Sequence, residues 1–433
     1  MTPAARLAAL AELLAEIEAA TAPAEQLVAA YFRARRFAGS KDRRWITERL
    51  YRALRRLGEL GGAATELGLV PGPRAQAILS LLLFDDLPAG ELAERWFDGP
   101  HALAAPDAAE AAAFARAASL DLATLPAAAR WNFPPWLAAR IETQYGARAG
   151  AVMMAYREAA PVTFRVNRQK AARDDIIRLL KDEGIEAAPT ALSPDGVTLT
   201  ARINLTRHPL LEGGRIEPQD EAAQIAARLA MAAPGMTVVD FCAGGGGKAL
   251  AMAANMGHAG VIHAFDIDAR RMRDIARRST RAGVSIIQPL ALAGDAGDEA
   301  ILAPLAGRAD RVFVDAPCSG SGTWRRQPDQ KWKFSEARFA ELVRTQEEII
   351  ARAAPLVAKG GRLIYATCSI LAAENEAQVT AFLRAHPDFR LLPVAGIWEA
   401  AGLQQSWDGD CLALTPDLFA SDGFFAAVLE RAP

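Results

Sequence analysis

Beyond Gln219 the chain alternates between short apolar runs and helical stretches, and this alternation limits the possible folds more than any other feature. A helix predicted at 220–232 precedes the run MTVVDF, which leads through a Gly-rich turn into another helix. VIHAFDID, an Arg-rich helix, SIIQPLA and DRVFVDAP follow in order. A long helix at 335–358, the run GRLIYATCS, a helix from Glu374 to His386 and the closing runs CLALTP and GFFAAVLE complete the series. Strands joined by helical crossovers form a parallel, doubly wound sheet, here with an antiparallel edge. Such sheets bind ligands at the carboxyl ends of their strands, so chemistry is sought at the strand exits.

The remainder has two other textures. Residues 1 to about 125 read as helix throughout, rich in Ala and Leu, with breaks at Gly61-Gly62, Pro71-Gly72-Pro73 and Gly99-Pro100. Pro134-Pro135 stops any helix, and past it the strands VTFRVN (162–167) and GVTLTA (196–201) flank a helix from Asp174 to about Gly184. For 433 residues this predicts three parts: an all-helical domain at 1–130, a linker with a small α/β module at 131–215, and the doubly wound domain at 216–433.

Composition removes several function classes. With 51% hydrophobic and 23% charged residues the chain has ample material for packed cores and is not a disordered protein. Arg6, Glu12, Glu16 and Glu18 interrupt the N-terminal apolar pattern, which lacks the unbroken apolar core expected of a signal peptide, and no long uncharged apolar run predicts a membrane span. A cytoplasmic monomer is the expectation. Four cysteines, Cys242, Cys318, Cys368 and Cys411, lie far apart with no C-x-x-C pair, so neither a metal site nor a disulfide framework is signalled. Lone thiols of this kind are ordinarily inert core residues.

A net charge of −2 argues weakly against nucleic acid as a partner, yet residues 33–56 hold ten Lys or Arg against Asp42 and Glu48. Arg43 and Arg44 lie in this stretch, with Phe32, Phe37, Trp45 and Tyr51 interleaved. A solvated helix face with structural ion pairs and an RNA-binding surface are both consistent with it.

The first strand of the doubly wound domain ends in Asp240-Phe241-Cys242-Ala243-Gly244-Gly245-Gly246-Gly247-Lys248, a turn that exposes backbone amides at a helix start. A P-loop would need Gly at 242 and Ser or Thr at 249, where Cys242 and Ala249 stand. A dinucleotide could use Gly244, Gly246 and Ala249 with Asp266. S-adenosylmethionine could lay its carboxylate on the same amides with Asp266 at the ribose. Later exits carry Asp315-Ala316-Pro317-Cys318 and Thr367-Cys368-Ser369, and two strand-end cysteines beside such a turn are poor candidates for core filler.

Together the turn, DAPCSGSG, ATCS and QDEAAQ (219–224) resemble the Nop/Sun family of RNA cytosine-5 methyltransferases over roughly residues 160–430. Arg165 to Asn167, RRQPDQKW (325–332) and DGFF (422–425) fall in the same match, and SKDRRWITERLYRALRR is similar to the NusB-like RNA-binding domain of the bacterial ribosomal RNA branch. The resemblance implies a class I methyltransferase: a Rossmann-like sheet preceded by a NusB-like all-α domain and a small α/β module. It implies S-adenosylmethionine as cofactor and RNA, foremost 16S ribosomal RNA, as substrate. Cys368 would attack cytosine C6, Asp315 would act at N3, Cys318 would release the product and Lys248 would favour the thiolate.

The cofactor would lie along Cys242, Ala243, Gly244, Gly245, Gly246, Gly247 and Lys248, with Asp266 at the ribose, Asp295 near the adenine amine and Asp315 close by. Arg165, Asn167, Arg325 and Arg326 would contact RNA beside Arg43 and Arg44. Where the family turn reads Cys-Ala-Ala-Pro-Gly-Gly-Lys-Thr, this chain has Gly244-Gly245 and Ala249, a looser loop that bears on cofactor affinity. Transfer RNA as substrate, or a non-catalytic RNA-binding assembly factor, are the alternatives.

Overall fold

A computed structural model describes residues 1–201, 203–257 and 259–433. It divides into two compact units, Met1–Ala159 with Trp324–Glu336, and Ala160–Thr323 with Ala337–Pro433. Among the described residues no helix is long and apolar enough to cross a membrane.

The first unit is entirely helical. Leu7, Leu10, Leu13, Leu14 and Ile17 form one face of helix Pro3–Ala19 and pack with Ile46, Leu50 and Leu54 of helix Ser40–Arg55. Gly61-Gly62, read from sequence as a break, lies inside the continuous helix Leu57–Glu66. A Cβ on Gly62 would come within 2.8 Å of the Ala129 Cβ, and one on Gly58 within 2.6 Å of the Ala129 carbonyl oxygen. These glycines permit close approach of helix Ala127–Trp131, and that packing offsets the roughly 1 kcal/mol of lost helix propensity per glycine. Helices Pro135–Tyr145 and Ala149–Met154 also belong here, so the helical unit extends past residue 130.

Segment Trp324–Glu336 joins this unit although its neighbours in sequence belong to the second unit. Trp324 packs on Phe133 with ring centroids 6.0 Å apart, and Asp329 accepts from the Ala24 amide at 3.0 Å. Lys331 is buried with its Nζ 4.4 Å from the Phe133 ring centre. Burial, aided by Arg55 and opposed by Glu59, pulls its ammonium down to about 7.

The second unit opens with a four-stranded antiparallel sheet, order β2-β3-β1-β4, from β1 (Val162–Val166), β2 (Ala187–Pro189), β3 (Gly196–Leu199) and β4 (Ile216–Pro218). Phe164, Val166, Val197 and Leu199 pack on Ile176 and Leu180 of helix Arg173–Asp182.

The main sheet contains β5 (Thr237–Asp240), β6 (Val261–Asp266), β7 (Ile287–Ala291), β8 (Ala309–Asp315), β9 (Val357–Thr367), β10 (Phe389–Leu392), β11 (Leu412–Leu414) and β12 (Phe424–Arg431). Its order is β10-β12-β9-β8-β5-β6-β7, with β11 paired to β12. Strands β5 to β9 run parallel, and β12 runs antiparallel to β9. Successive strand residues supply opposite layers: Phe313 and Ile364 face the core holding Ile225 and Leu250, while Val312, Val314 and Leu363 face Ile350 and Phe382. Both faces are therefore covered, as the continuous apolar runs require. After β7 the chain returns to the other side of β5 to form β8, so the topological switch lies at the exits of β5 and β8.

Candidate active site

At the β5 exit the chain turns through Gly244 (φ +52°) and Gly246 (φ +77°) into helix Gly247–Asn255. A Cβ on Gly244 would meet only the movable end of the Arg271 side chain, at 2.6 Å, so it is the positive φ that favours glycine at this position. The helix start has no side-chain cap, leaving its first amides available to an anionic group. Asp266, at the end of β6, accepts from the Gly244 amide at 2.7 Å and the Asp268 amide at 2.8 Å. Asp268 itself caps helix Ala269–Ala282 by accepting from the Arg270 amide at 2.9 Å, which leaves Asp266 as the strand-end carboxylate beside the turn. Asp295 is exposed beyond β7 and accepts from the Gly297 amide at 2.8 Å.

Sequence reasoning passed over Asp240, the last residue of β5. Its carboxylate is buried, and among the described residues neither oxygen has a hydrogen-bond partner of good geometry, the Ala249 amide being the backbone donor that steadies its charge. Burial and then the charge of Asp315 push it up to about 7. An under-partnered buried carboxylate beside an anion-binding turn suits a zwitterionic ligand whose ammonium and carboxylate are held separately. Arg278 was also missed: it donates to the Gly245 carbonyl and pairs with Glu217 at 3.0 Å, fixing the turn from β4.

The β8 and β9 exits bring the reactive groups together. Lys248 Nζ lies 2.5 Å from Asp315 Oδ2, and the sulfurs of Cys318 and Cys368 are 3.4 Å apart. Burial pulls the Lys248 ammonium down, but the charge of Asp315, its hydrogen bond and the charge of Cys368 outweigh it and leave Lys248 raised. The hydrogen bond to Cys368, followed by burial, drives the Cys318 thiol well up. The two sulfurs share a hydrogen bond in which either can be the donor. Cys242 is a half-buried thiol raised by desolvation, and Cys411, pushed up to about 12 mainly by burial, takes no part in this cluster.

Of the residues assigned to RNA contact, two have other employment. Arg165 is buried and donates to Gln219 at 2.7 Å, with burial pulling its guanidinium down to about 10. Asn167 donates to the carbonyls of Gly214 at 3.1 Å and Ala282 at 3.0 Å, tying the small module to the main sheet. They are internal struts in this structure. Arg325 is buried and Arg326 half-buried within the helical unit.

The basic stretch is likewise largely engaged. Arg35 pairs with Glu12, Arg44 with Glu48, Arg49 and Arg52 with Asp85, and Arg56 with Glu59, while Arg43 donates to the Ala38 carbonyl at 2.8 Å. Arg33, Arg36 and Lys41 are exposed and have no ion pair among the described residues, and Phe37 between them is 75% exposed.

Residues 228–430 match the family model described as 16S rRNA methyltransferase RsmB/F, and residues 133–206 match the ferredoxin-like domain of RsmF/B-like methyltransferases. The ribosomal RNA small subunit methyltransferase B of Cronobacter sakazakii is 34% identical over 309 residues, covering 70% of this chain and 67% of that protein. A probable ribosomal RNA small subunit methyltransferase B of Synechocystis sp. is 32% identical over 316 residues, covering 72% of this chain and 70% of that protein. The crystal structure of PH0851 superposes with a TM-score of 0.77 at 26% identity, covering 100% of this chain and 99% of that one. With the strand order, the glycine turn and the paired strand-end cysteines, these likenesses place the chain in the 16S rRNA methyltransferase RsmB/F family, whose members take the methyl group from S-adenosylmethionine.

Proposed function

We propose that this chain methylates C5 of a cytosine in 16S ribosomal RNA through a covalent bond between Cys368 Sγ and cytosine C6. The observation that carries the reading is the pair of sulfurs 3.4 Å apart at adjacent strand exits, next to the Lys248–Asp315 pair. Transfer RNA is the alternative substrate of the same chemistry.

S-adenosylmethionine, when bound, supplies an electrophilic methyl group. The glycine turn and the helix Gly247–Asn255 amides suit its carboxylate, Asp240 its ammonium, and Asp266 its ribose hydroxyls; Asp295 is the residue we assign to the adenine amine. Lys248 supplies a cation beside Cys368 and keeps its proton, favouring the thiolate. Addition of that thiolate to C6 forms the S–C bond and moves the ring π electrons towards C5 and N3; we assign Asp315 to N3, to which its carboxyl group would donate a proton as negative charge develops. After methylation the C5 proton leaves to a base, its electrons restore the C5–C6 double bond, and the Cys368 sulfur departs. Cys318, hydrogen-bonded to that sulfur, is the residue we assign to this release. The target base reaches the cysteines only outside its stack, so an unpaired cytosine fits best.

We also assign the helical unit a NusB-like RNA-binding role, centred on Arg33, Arg36, Phe37 and Lys41 more than on Arg43 and Arg44. The test of the reaction is trapping: an RNA transcript carrying 5-fluorocytosine should form a denaturant-stable adduct with the wild-type protein and none with Cys368→Ala. An adduct that survives Cys368→Ala and disappears in Cys318→Ala would reverse the assignment.

A further inference from the structure

Glu374 lies in the turn after β9, fully buried, with no ion pair among the described residues. All four of its acceptor positions are taken. Oε1 accepts from the Ser319 amide at 2.8 Å and Gln346 Nε2 at 3.0 Å. Oε2 accepts from Ser319 Oγ at 2.6 Å and Ser369 Oγ at 2.5 Å. Ser319 follows Cys318 and Ser369 follows Cys368, so one carboxylate grips the residue after each cysteine. Gln346 also donates to the Pro317 carbonyl at 2.9 Å, holding the other flank of Cys318. Asn375 extends the lattice by accepting from Thr367 Oγ1 at 2.5 Å and donating to the Ser369 carbonyl at 3.0 Å.

A buried carboxylate held only by neutral donors is stable when every lone pair is used. Strands β8 and β9 deliver the cysteines to the same sheet edge on separate exit loops, which also meet directly where the Gly322 amide donates to the Cys368 carbonyl at 2.9 Å and the Ile370 amide to Ser321 Oγ at 2.9 Å. We propose that Glu374 is a positioning residue that locks the two cysteine loops in register, so that Cys318 stays within reach of the Cys368 sulfur during release. This rests on the covalent reading above. The charge of Glu374 also helps hold the Cys318 thiol up, after the Cys368 hydrogen bond, burial and the charge of Cys368.

The full-length Glu374→Gln protein is the main test, since it keeps size and polarity while removing the charge; Ser319→Ala and Ser369→Ala each remove one hydroxyl bond to Glu374, together with that hydroxyl's bonds to neighbouring residues, without crowding. With an ordinary 16S ribosomal RNA transcript and S-adenosylmethionine, turnover of Glu374→Gln should fall about tenfold to a hundredfold. The RNA–protein adduct should accumulate on denaturing gels as in Cys318→Ala, while S-adenosylhomocysteine affinity stays within about twofold of wild type on the same scale. The alkaline limb of its pH–rate profile should move to lower pH, a change that mere loosening of the fold would not produce. The serine variants should show the same accumulation in weaker form.

Turnover and adduct level near those of wild type in Glu374→Gln would overturn the proposal. So would loss of activity in all three variants in proportion to lost cofactor binding and lowered melting temperature. Absence of any adduct in Cys318→Ala would instead refute the covalent reading itself.

Discussion

Cys318 Sγ and Cys368 Sγ stand 3.4 Å apart because β8 and β9 are parallel neighbours whose register sets Asp315 opposite Ala366, so each thiol leaves the sheet at the same level. The short contact lets one proton serve two sulfurs. Cys368→Ala should abolish methyl transfer by about a thousandfold or more, because loss of a nucleophile removes the whole covalent route. Cys318→Ala should still form the bond to RNA but release it slowly, which denaturing gels and single-turnover kinetics distinguish.

Asp240 gives the cofactor site a pH dependence. Its folded-state pKa is raised from 3.8 to about 7, so the fold disfavours the carboxylate and protein stability falls as pH rises from about 4 to about 7, then levels off. S-adenosylhomocysteine affinity should run the other way, rising between pH 6 and pH 8 as Asp240 ionises and can meet the ligand ammonium. Asp240→Asn should flatten both trends and stabilise the ligand-free protein at pH 8 by roughly 2–4 kcal/mol. Calorimetry and thermal unfolding across this range measure the two together.

Gly322→Ala tests the support of the Cys318 loop. A Cβ there would collide with the Gly423 carbonyl, and Gly322 already donates to the Cys368 carbonyl at 2.9 Å while Gly423 donates to Gly322 at 3.0 Å. The backbones of the DGFF and Cys318 segments must move apart, at a cost of about 1–3 kcal/mol. A lowered melting temperature with a reduced rate of adduct formation is the expected result; Gly320→Ala, where a Cβ has space but φ is +68°, serves as a strain control.

The exposed cations make a separate prediction about RNA. Replacing Arg33, Arg36 and Lys41 together by Glu should raise KM for 16S ribosomal RNA about tenfold and make the dependence of binding on log salt shallower by about 2. Filter binding at several salt concentrations reads the slope. Arg44→Glu, next to a residue that already neutralises Arg44 at 2.8 Å, should change it much less.

Several features were readable from residue order alone. Runs such as DRVFVDAP and GRLIYATCS carry consecutive apolar residues, Val312 to Val314 and Leu363 to Ala366, because both sheet faces are covered, so their strands and exits, with Asp315, Cys318 and Cys368 on them, follow directly from the pattern. The glycine turn is equally local: backbone angles at Gly244 and Gly246 are set where they stand. Short edge strands such as Ala187–Pro189, Ile216–Pro218 and Phe389–Leu392 carried too few residues to show a period and were settled by their partners.

Tertiary structure decided everything that depends on distant pairs. Gly61-Gly62 became helix because Ala129 packs on it, and four of the ten cations of the basic stretch were drawn into pairs with Glu12, Asp85 and Glu59. Arg165 and Asn167 looked like contacts for a polyanion and are buried struts. Glu374, unremarkable in the chain, acquires its place only when two strand exits converge on it. Sequence thus determined which residues stand at strand ends, since the alternation of side chains is local. Which of them meet, and which charges remain free, depended on long-range packing that no local pattern encodes.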